Sequence, residues 1–234
     1  MNKMNLEYVI KKITGKTNFE LSPSIPKSYI INQGITYVVG MVRGFFRKFG
    51  FYVCGKKLFL GKKVKLRVKN KISLGNSVRI ESGTIINALS EDGVIVGNQS
   101  KFGKNNTVQV TGSLSHLGKG LIVGNNTSFA ENTYFGAAGG IKIGNDVIVG
   151  QNVRFHAENH KYDNPQKLIR EQGVSHKGIF IGNNVWIGSG AVFLDGSYVG
   201  DNSVVAANAV VTGSFNCNSI IGGVPAKIIK SNGV

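Results

Sequence analysis

IFIGNNVWIGSGAVFLDGSYVGDNSVVAANAVVTG, residues 179–213, puts an aliphatic or aromatic residue at every sixth position: Ile181, Ile187, Phe193, Val199, Val205 and Val211. A helix repeats its apolar face every 3.6 residues and a half-buried strand every two, so neither produces a period of six. A short strand, a tight corner and a repetition of both does. The same beat runs upstream through Leu74, Ile80 and Ile86, then Val96, Phe102 and Val108, Val123, Phe129 and Phe135, and Ile143, Val149 and Phe155. Units such as LGNSVR, VGNQSK, VGNNTS and IGNDVI place Gly or Asn beside the apolar residue, where the chain must turn. Asn suits a corner because it tolerates left-handed backbone geometry. Three sides close one turn in about 18 residues, and stacked turns form a parallel β-solenoid in which each strand pairs with its neighbours above and below.

The beat slips between Phe135 and Ile143 and near 89–94 and 113–121, where smaller loops or irregular corners are expected. It breaks from 156 to 179, a charged stretch holding a single proline, Pro165, which reads as a loop ejected from the solenoid. Long loops of this kind usually carry function. The division expected is a basic, partly helical segment over 1–57, the solenoid over 58–222 with its loop at 156–179, and a C-terminal helix and tail over 223–234.

Composition agrees with an all-β chain. Among 234 residues, 32 are Gly and 24 Asn, with only 4 Pro, which demands many tight turns and argues against a helical bundle. The 41% hydrophobic fraction argues against wholesale disorder. Two cysteines, Cys54 and Cys217, support neither a disulfide framework nor a metal cluster. The opening MNKMNLEYVIKK lacks an apolar core and cleavage site, so a cytoplasmic protein is expected.

The charge is uneven. Residues 1–71 hold 16 Lys/Arg against 2 Asp/Glu, whereas residues 72–234 hold 12 against 10. Such a basic front end fits nucleic acid, an anionic membrane or an acidic substrate. No nucleic-acid motif accompanies it, so no nucleic-acid partner is expected. GITYVVGMVRGFFRKFGFYV, residues 34–53, interleaves Val, Met, Phe and Tyr with cations, the pattern of a helix lying on a membrane interface. The alternative is a basic helix packed on the main body, and its four glycines weaken it as a helix.

The stretch from 123 to 230 resembles the hexapeptide-repeat acyltransferases, in the branch of maltose, galactoside and polysaccharide O-acetyltransferases. VIVGQNVRFHAENHKYDNP (147–165) resembles the segment where a coil ends, a histidine follows and a loop departs. IFIGNNVWIGSGAVFLDGSYVGDNSVVAANAVVTG resembles the coils that bind coenzyme A. IIGGVPAKIIK (220–230) resembles the family's closing Gly-x-Pro-Ala-[Lys/Arg] turn into a C-terminal helix. The resemblance implies a left-handed parallel β-helix, acetyl-CoA as acyl donor with no metal required, and a homotrimer with clefts between subunits.

By the same resemblance His160 is the catalytic base. Histidine suits the task, since its ordinary pKa of ~6.5 lies near working pH. Glu158, Asp163 or a backbone carbonyl could orient its ring. His156 reads as a corner residue, and His116 and His176 as solvated surface residues. Trp186, Ser189 and Ala207 fall where the family holds the pantetheine arm, and Thr212, Gly213, Lys227 and Lys230 where it holds the nucleotide end. The alternative for Trp186 is plain packing, and for the two lysines a solvated face. Sugar acetyltransferases carry an acid in the coil before the catalytic histidine, but Ala137 and Ala138 stand there. Glu131 and Asn132 are the remaining polar candidates for the acceptor, which favours a larger or lipid-linked saccharide over a free disaccharide.

The reading is therefore an acetyl-CoA-dependent O-acetyltransferase of a saccharide, of the bacterial capsule or O-antigen type, cytoplasmic or peripheral at the inner membrane face. The alternatives are an N-acetyltransferase of an amino sugar or small amine, a zinc carbonic anhydrase on the same solenoid, whose three-imidazole spacing His156 and His160 do not reproduce, and a non-enzymatic scaffold with a membrane-binding N-terminus.

Overall fold

In a computed structural model of the chain, residue 7 and residues 20–231 are described. They divide into two compact units, 1–39 and 40–234, with the boundary inside the helix Lys27–Arg47. The larger unit is the solenoid. Its strands stack into three parallel sheets, here called faces A, B and C in the order the chain visits them. Face A runs from Val53–Cys54 to Ser214–Phe215, face B from Phe59–Leu60 to Ser219–Gly223, and face C from Lys65–Arg67 to Val210–Val211. The register is strict, with Phe135 pairing Phe155 and Phe155 pairing Phe193 on face C. Their buried rings stack at 5.2 and 4.9 Å between centroids, so every sixth residue does point inward.

The edge between faces A and B explains the recurring Gly-Asn. Asn76 Oδ1 accepts the Lys56 N–H, Asn98 that of Asn76, Asn125 that of Asn98, and Asn145 that of Asn125, all at 2.8 Å. Asn183 continues the ladder and Asp201 ends it. Each side chain thus satisfies a corner amide that no strand can reach. One residue later the chain takes left-handed φ, as at Asn126 (53°), Asn184 (51°) and Asn202 (56°).

Three boundaries differ from expectation. The solenoid begins at Val53–Cys54, ahead of 58, because Val53 pairs with Ser73. The excursion occupies 157–178, since Arg154–His156 and Ile179–Ile181 are both solenoid strands. The C-terminal helix is not formed: Ala226–Ser231 is a strand, antiparallel to Ser219–Gly223. Two physical reasons favour the strand. The last parallel strand of face B leaves a free edge of backbone donors and acceptors, and Ile228–Ile229 are β-branched.

The glycines of Lys27–Arg47 serve close approach. In the larger unit, Gly40 lies against the Phe59 ring and Gly44 against the Leu58 carbonyl, where any Cβ would collide. Arg43 donates to the Leu60 carbonyl at 2.5 Å and Arg47 to that of Val64 at 3.0 Å. The helix end therefore caps carbonyls of the first coil that have no preceding coil to bond. No helix among the described residues is long and apolar enough to cross a membrane.

Candidate active site

The excursion from 157 to 178 has structure of its own. Asn159–His160 pairs antiparallel with Val174–Ser175, with His160 opposite Val174. Lys161 N–H donates to the Gly173 carbonyl at 3.0 Å. At the tip, Gln172 accepts from Asn164 N–H (3.0 Å) and donates to the carbonyls of Asn164 and Lys167 (2.9 Å each). His160 thus sits on a hairpin stem at the mouth of the excursion, exposed. No side-chain hydrogen bond to its ring is present among the described residues.

The end of the excursion is pinned by Asp195, which sequence reasoning did not single out. It is 6% exposed, and Oδ1 accepts the N–H groups of Lys177 (2.8 Å) and Gly178 (2.7 Å). Oδ2 accepts the Ser175 hydroxyl at 3.2 Å. Ser175 belongs to the strand that pairs with Asn159–His160, so one buried carboxylate in the following coil fixes the stem that carries His160.

Glu158, one of the orienting candidates, is engaged elsewhere. Its carboxylate meets His176 Nε2 at 2.7 Å across the base of the excursion. His176 is exposed, as expected of a surface residue, and is held in this pair. His116 is also exposed, as expected, beside the Ser115 hydroxyl.

His156 faces outward on face C, half-buried, with its ring 5.5 Å from that of Tyr134. Burial, and after it the Arg154 guanidinium, hold its pKa below the usual imidazole value. His156, Glu158, Tyr134 and Gln109 line a cavity of about 130 Å³. These polar groups, not Glu131 and Asn132, adjoin the start of the excursion. The signal was available in the register: Gln109, Gly136 and His156 occupy one position on successive turns of face C. Glu131 and Asn132 lie at the opposite corner of that face, where Asn132 takes φ 60° and Glu131 accepts from Gln151 at 3.2 Å. Hydrogen bonding from its own backbone N–H, then from Gln151, lowers the Glu131 pKa. Ala137 and Ala138 are buried.

The residues expected to hold coenzyme A separate into two groups. Trp186 stands on face B between Ile148 and Val204, 58% exposed. Ser189 and Ala207 follow on the next edge, stacked on consecutive turns, and the Asn208 N–H donates to the Ser189 carbonyl at 2.9 Å. Gly188 lies directly against Ala207, leaving backbone uncovered by side chains. Lys227 and Lys230 are exposed on the final strand of face B, opposite Gly222 and Ile220. Thr212 and Gly213 lie on the edge between faces C and A, a full face away. Among the described residues no three His, Cys, Asp or Glu side chains gather as metal ligands.

Comparison with known proteins identifies the family. Residues 178–213 match the family described as Bacterial transferase hexapeptide (six repeats). The chain is 32% identical over 137 residues to the putative lipopolysaccharide biosynthesis O-acetyl transferase WbbJ of Escherichia coli K12, covering 55% of this chain and 70% of that one. It belongs to the hexapeptide-repeat acyltransferases. Galactoside O-acetyltransferase of the same organism is 36% identical over 91 residues, 38% of this chain and 43% of the relative. Among solved structures, a mutant of AntD, an N-acyltransferase from Bacillus cereus, superposes with a TM-score of 0.53 at 20% identity over 82% of this chain and 90% of that one. That likeness is one of fold, and with the family it makes the solenoid of residues 53–223 a left-handed parallel β-helix.

Proposed function

We propose that this acyltransferase moves acetyl from acetyl-CoA to a hydroxyl of a saccharide belonging to a bacterial surface polysaccharide or its precursor, on the cytoplasmic side of the membrane. The observation that carries the proposal is His160, an exposed imidazole fixed at backbone level by the stem and by Asp195, with no side-chain hydrogen bond to its ring among the described residues. His160 takes the proton of the acceptor hydroxyl as that oxygen bonds to the acetyl carbon. The tetrahedral oxyanion is steadied by the backbone N–H of Ser189, since those of Gly188 and Gly190 are bonded to carbonyls; then the C–S bond breaks and the leaving sulfur takes the proton from the imidazolium. Trp186 on face B, with Ser189 and Ala207 on the adjoining edge, holds the pantetheine arm, and Lys227 and Lys230 face the phosphates of the nucleotide end. Thr212 and Gly213 do not share that edge within one chain.

The reading favours a homotrimer. His160 leaves from the far corner of face C, whereas Trp186, Ser189 and Ala207 lie on face B and its near corner. One copy's histidine meets a second copy's thioester site when subunits stand side by side. The saccharide class rests on the relative named for lipopolysaccharide biosynthesis and on the polar cavity of Gln109, Tyr134, His156 and Glu158.

The test is thiol release from acetyl-CoA in the presence of mono-, oligo- and lipid-linked saccharides. The expected result is transfer to hydroxyl acceptors, falling by about 10²–10⁴ in His160→Ala with unchanged thermal midpoint. Reaction with amines alone would establish the N-acetyltransferase reading, and full activity in His160→Ala would remove that residue from the mechanism.

A further inference from the structure

The end of the helix Lys27–Arg47 has a surface that the acyl-transfer chemistry does not use. At 100° per residue, Gly40, Arg43, Gly44 and Arg47 fall on one side of the helix, the side bonded to the first coil. Val42, Phe45 and Phe46 fall on the opposite side, and Phe49 and Tyr52 follow directly. All five are open to solvent: Val42 50%, Phe45 61%, Phe46 69%, Phe49 72% and Tyr52 77% exposed. Isolated apolar residues at a surface need no explanation, but four aromatic rings within eight residues form a patch, and such patches mark docking.

The surrounding charge says what docks. Residues 40–71 hold 11 Lys/Arg and no Asp/Glu; Arg43, Arg47, Lys69 and Lys71 bond backbone carbonyls, and Lys48, Lys56 and Lys57 line one cavity with Phe45. Lys48 Nζ lies 4.7 Å from the Phe45 ring centroid and 5.9 Å from that of Phe49, so cation and aromatic groups share one surface. Between the helix end and the first coil opens a cavity of about 550 Å³ whose lining includes Phe45, Lys48, Lys56 and Lys57. An apolar partner alone would gain nothing from this cationic ring, and a polyanion alone would leave the aromatic rings in water. A bilayer of anionic phospholipid satisfies both, with the rings at the acyl boundary and the lysines among the phosphates.

We infer that Val42, Phe45, Phe46, Phe49 and Tyr52, with Lys48, Lys56 and Lys57, form a peripheral docking surface for an anionic phospholipid membrane. Bound this way, the solenoid stands on the membrane by its first coil. The inference does not depend on acetyl transfer, and neither does its test.

The test is co-sedimentation of the full chain with vesicles of phosphatidylcholine, with and without phosphatidylglycerol. Binding is expected only to vesicles containing phosphatidylglycerol, and it weakens as added salt screens the lysines. Lys56→Ala/Lys57→Ala is expected to lower partitioning roughly 30-fold. Phe45→Ser/Phe46→Ser/Phe49→Ser is expected to abolish it while leaving the circular dichroism of the solenoid unchanged. Equal binding to both vesicle types, absent binding, or wild-type binding by the triple variant would overturn the inference. So would a drop in molar mass on light scattering in the triple variant, which would show the patch to be covered by another copy of the chain.

Discussion

Replacing Asp195 by Ala should loosen the excursion that carries His160 without unfolding the solenoid. The carboxylate is buried and receives two backbone N–H groups and one hydroxyl. Hydrogen bonds to a charged group contribute about 1.5–3 kcal/mol each, so the two amides set an upper figure of about 6 kcal/mol. Water entering the vacated space re-satisfies part of this, which brings the expected cost to about 3 kcal/mol. Because each solenoid turn contacts only its neighbours, the loss stays local. Hydrogen exchange of amides in 157–178 should accelerate by about a hundredfold, the factor that such a free energy implies. Asp195→Asn should fall between, since one oxygen remains while the new amide group opposes N–H donors. Unchanged exchange at 173–178, or acceleration spread evenly over the coils from 94 to 149, would refute the assignment of Asp195 as the pin.

His156 is held below the ordinary imidazole value by burial and Arg154, so the unfolded chain binds its proton more readily than the folded one. Its neutral form therefore contributes stability above the unfolded value of ~6.5 that is lost as pH falls through that value toward the lower folded one, and His156→Gln should flatten the thermal midpoint across that window. Gly44→Ala should destabilise the helix end in thermal melts even though Ala favours an isolated helix by about 1 kcal/mol, because the new Cβ meets the Leu58 carbonyl.

The solenoid was legible in the sequence because its rule is local. Each corner needs a residue that tolerates left-handed backbone, and each inward position needs bulk, so Asn126, Asn184 and Phe155 announce themselves every six residues. The pin was not legible for the complementary reason. Asp195 sits 17–20 residues from the groups it binds, in a unit whose pattern looks like any other. The Glu158–His176 pair spans the whole excursion and carries no periodic mark. The last strand departs from the helix that the family resemblance implies, because β-branched Ile228–Ile229 and the open neighbouring edge favour pairing. In the N-terminal helix, glycine frequency suggested weakness, whereas Gly40 and Gly44 are the contacts that let the backbone approach the first coil.

The separation of His160 from Trp186 bears directly on assembly. A face C strand such as Arg154–His156 spans on the order of 10 Å, so the corner bearing the excursion cannot coincide with the corner bearing Ser189 and Ala207. Acyl transfer needs its reacting atoms within about 3.5 Å. If the histidine of one copy serves the thioester site of the next, each active site draws on two chains, and defects on different chains can complement. His160→Ala and Trp186→Ala, each assayed at limiting acetyl-CoA, should be impaired alone. Unfolded together and refolded as mixed trimers, about a quarter of the interfaces should pair an intact histidine with an intact tryptophan and regain wild-type turnover. If both groups instead act within one chain, no interface recovers, and the mixture should show only the mean of the two impaired rates.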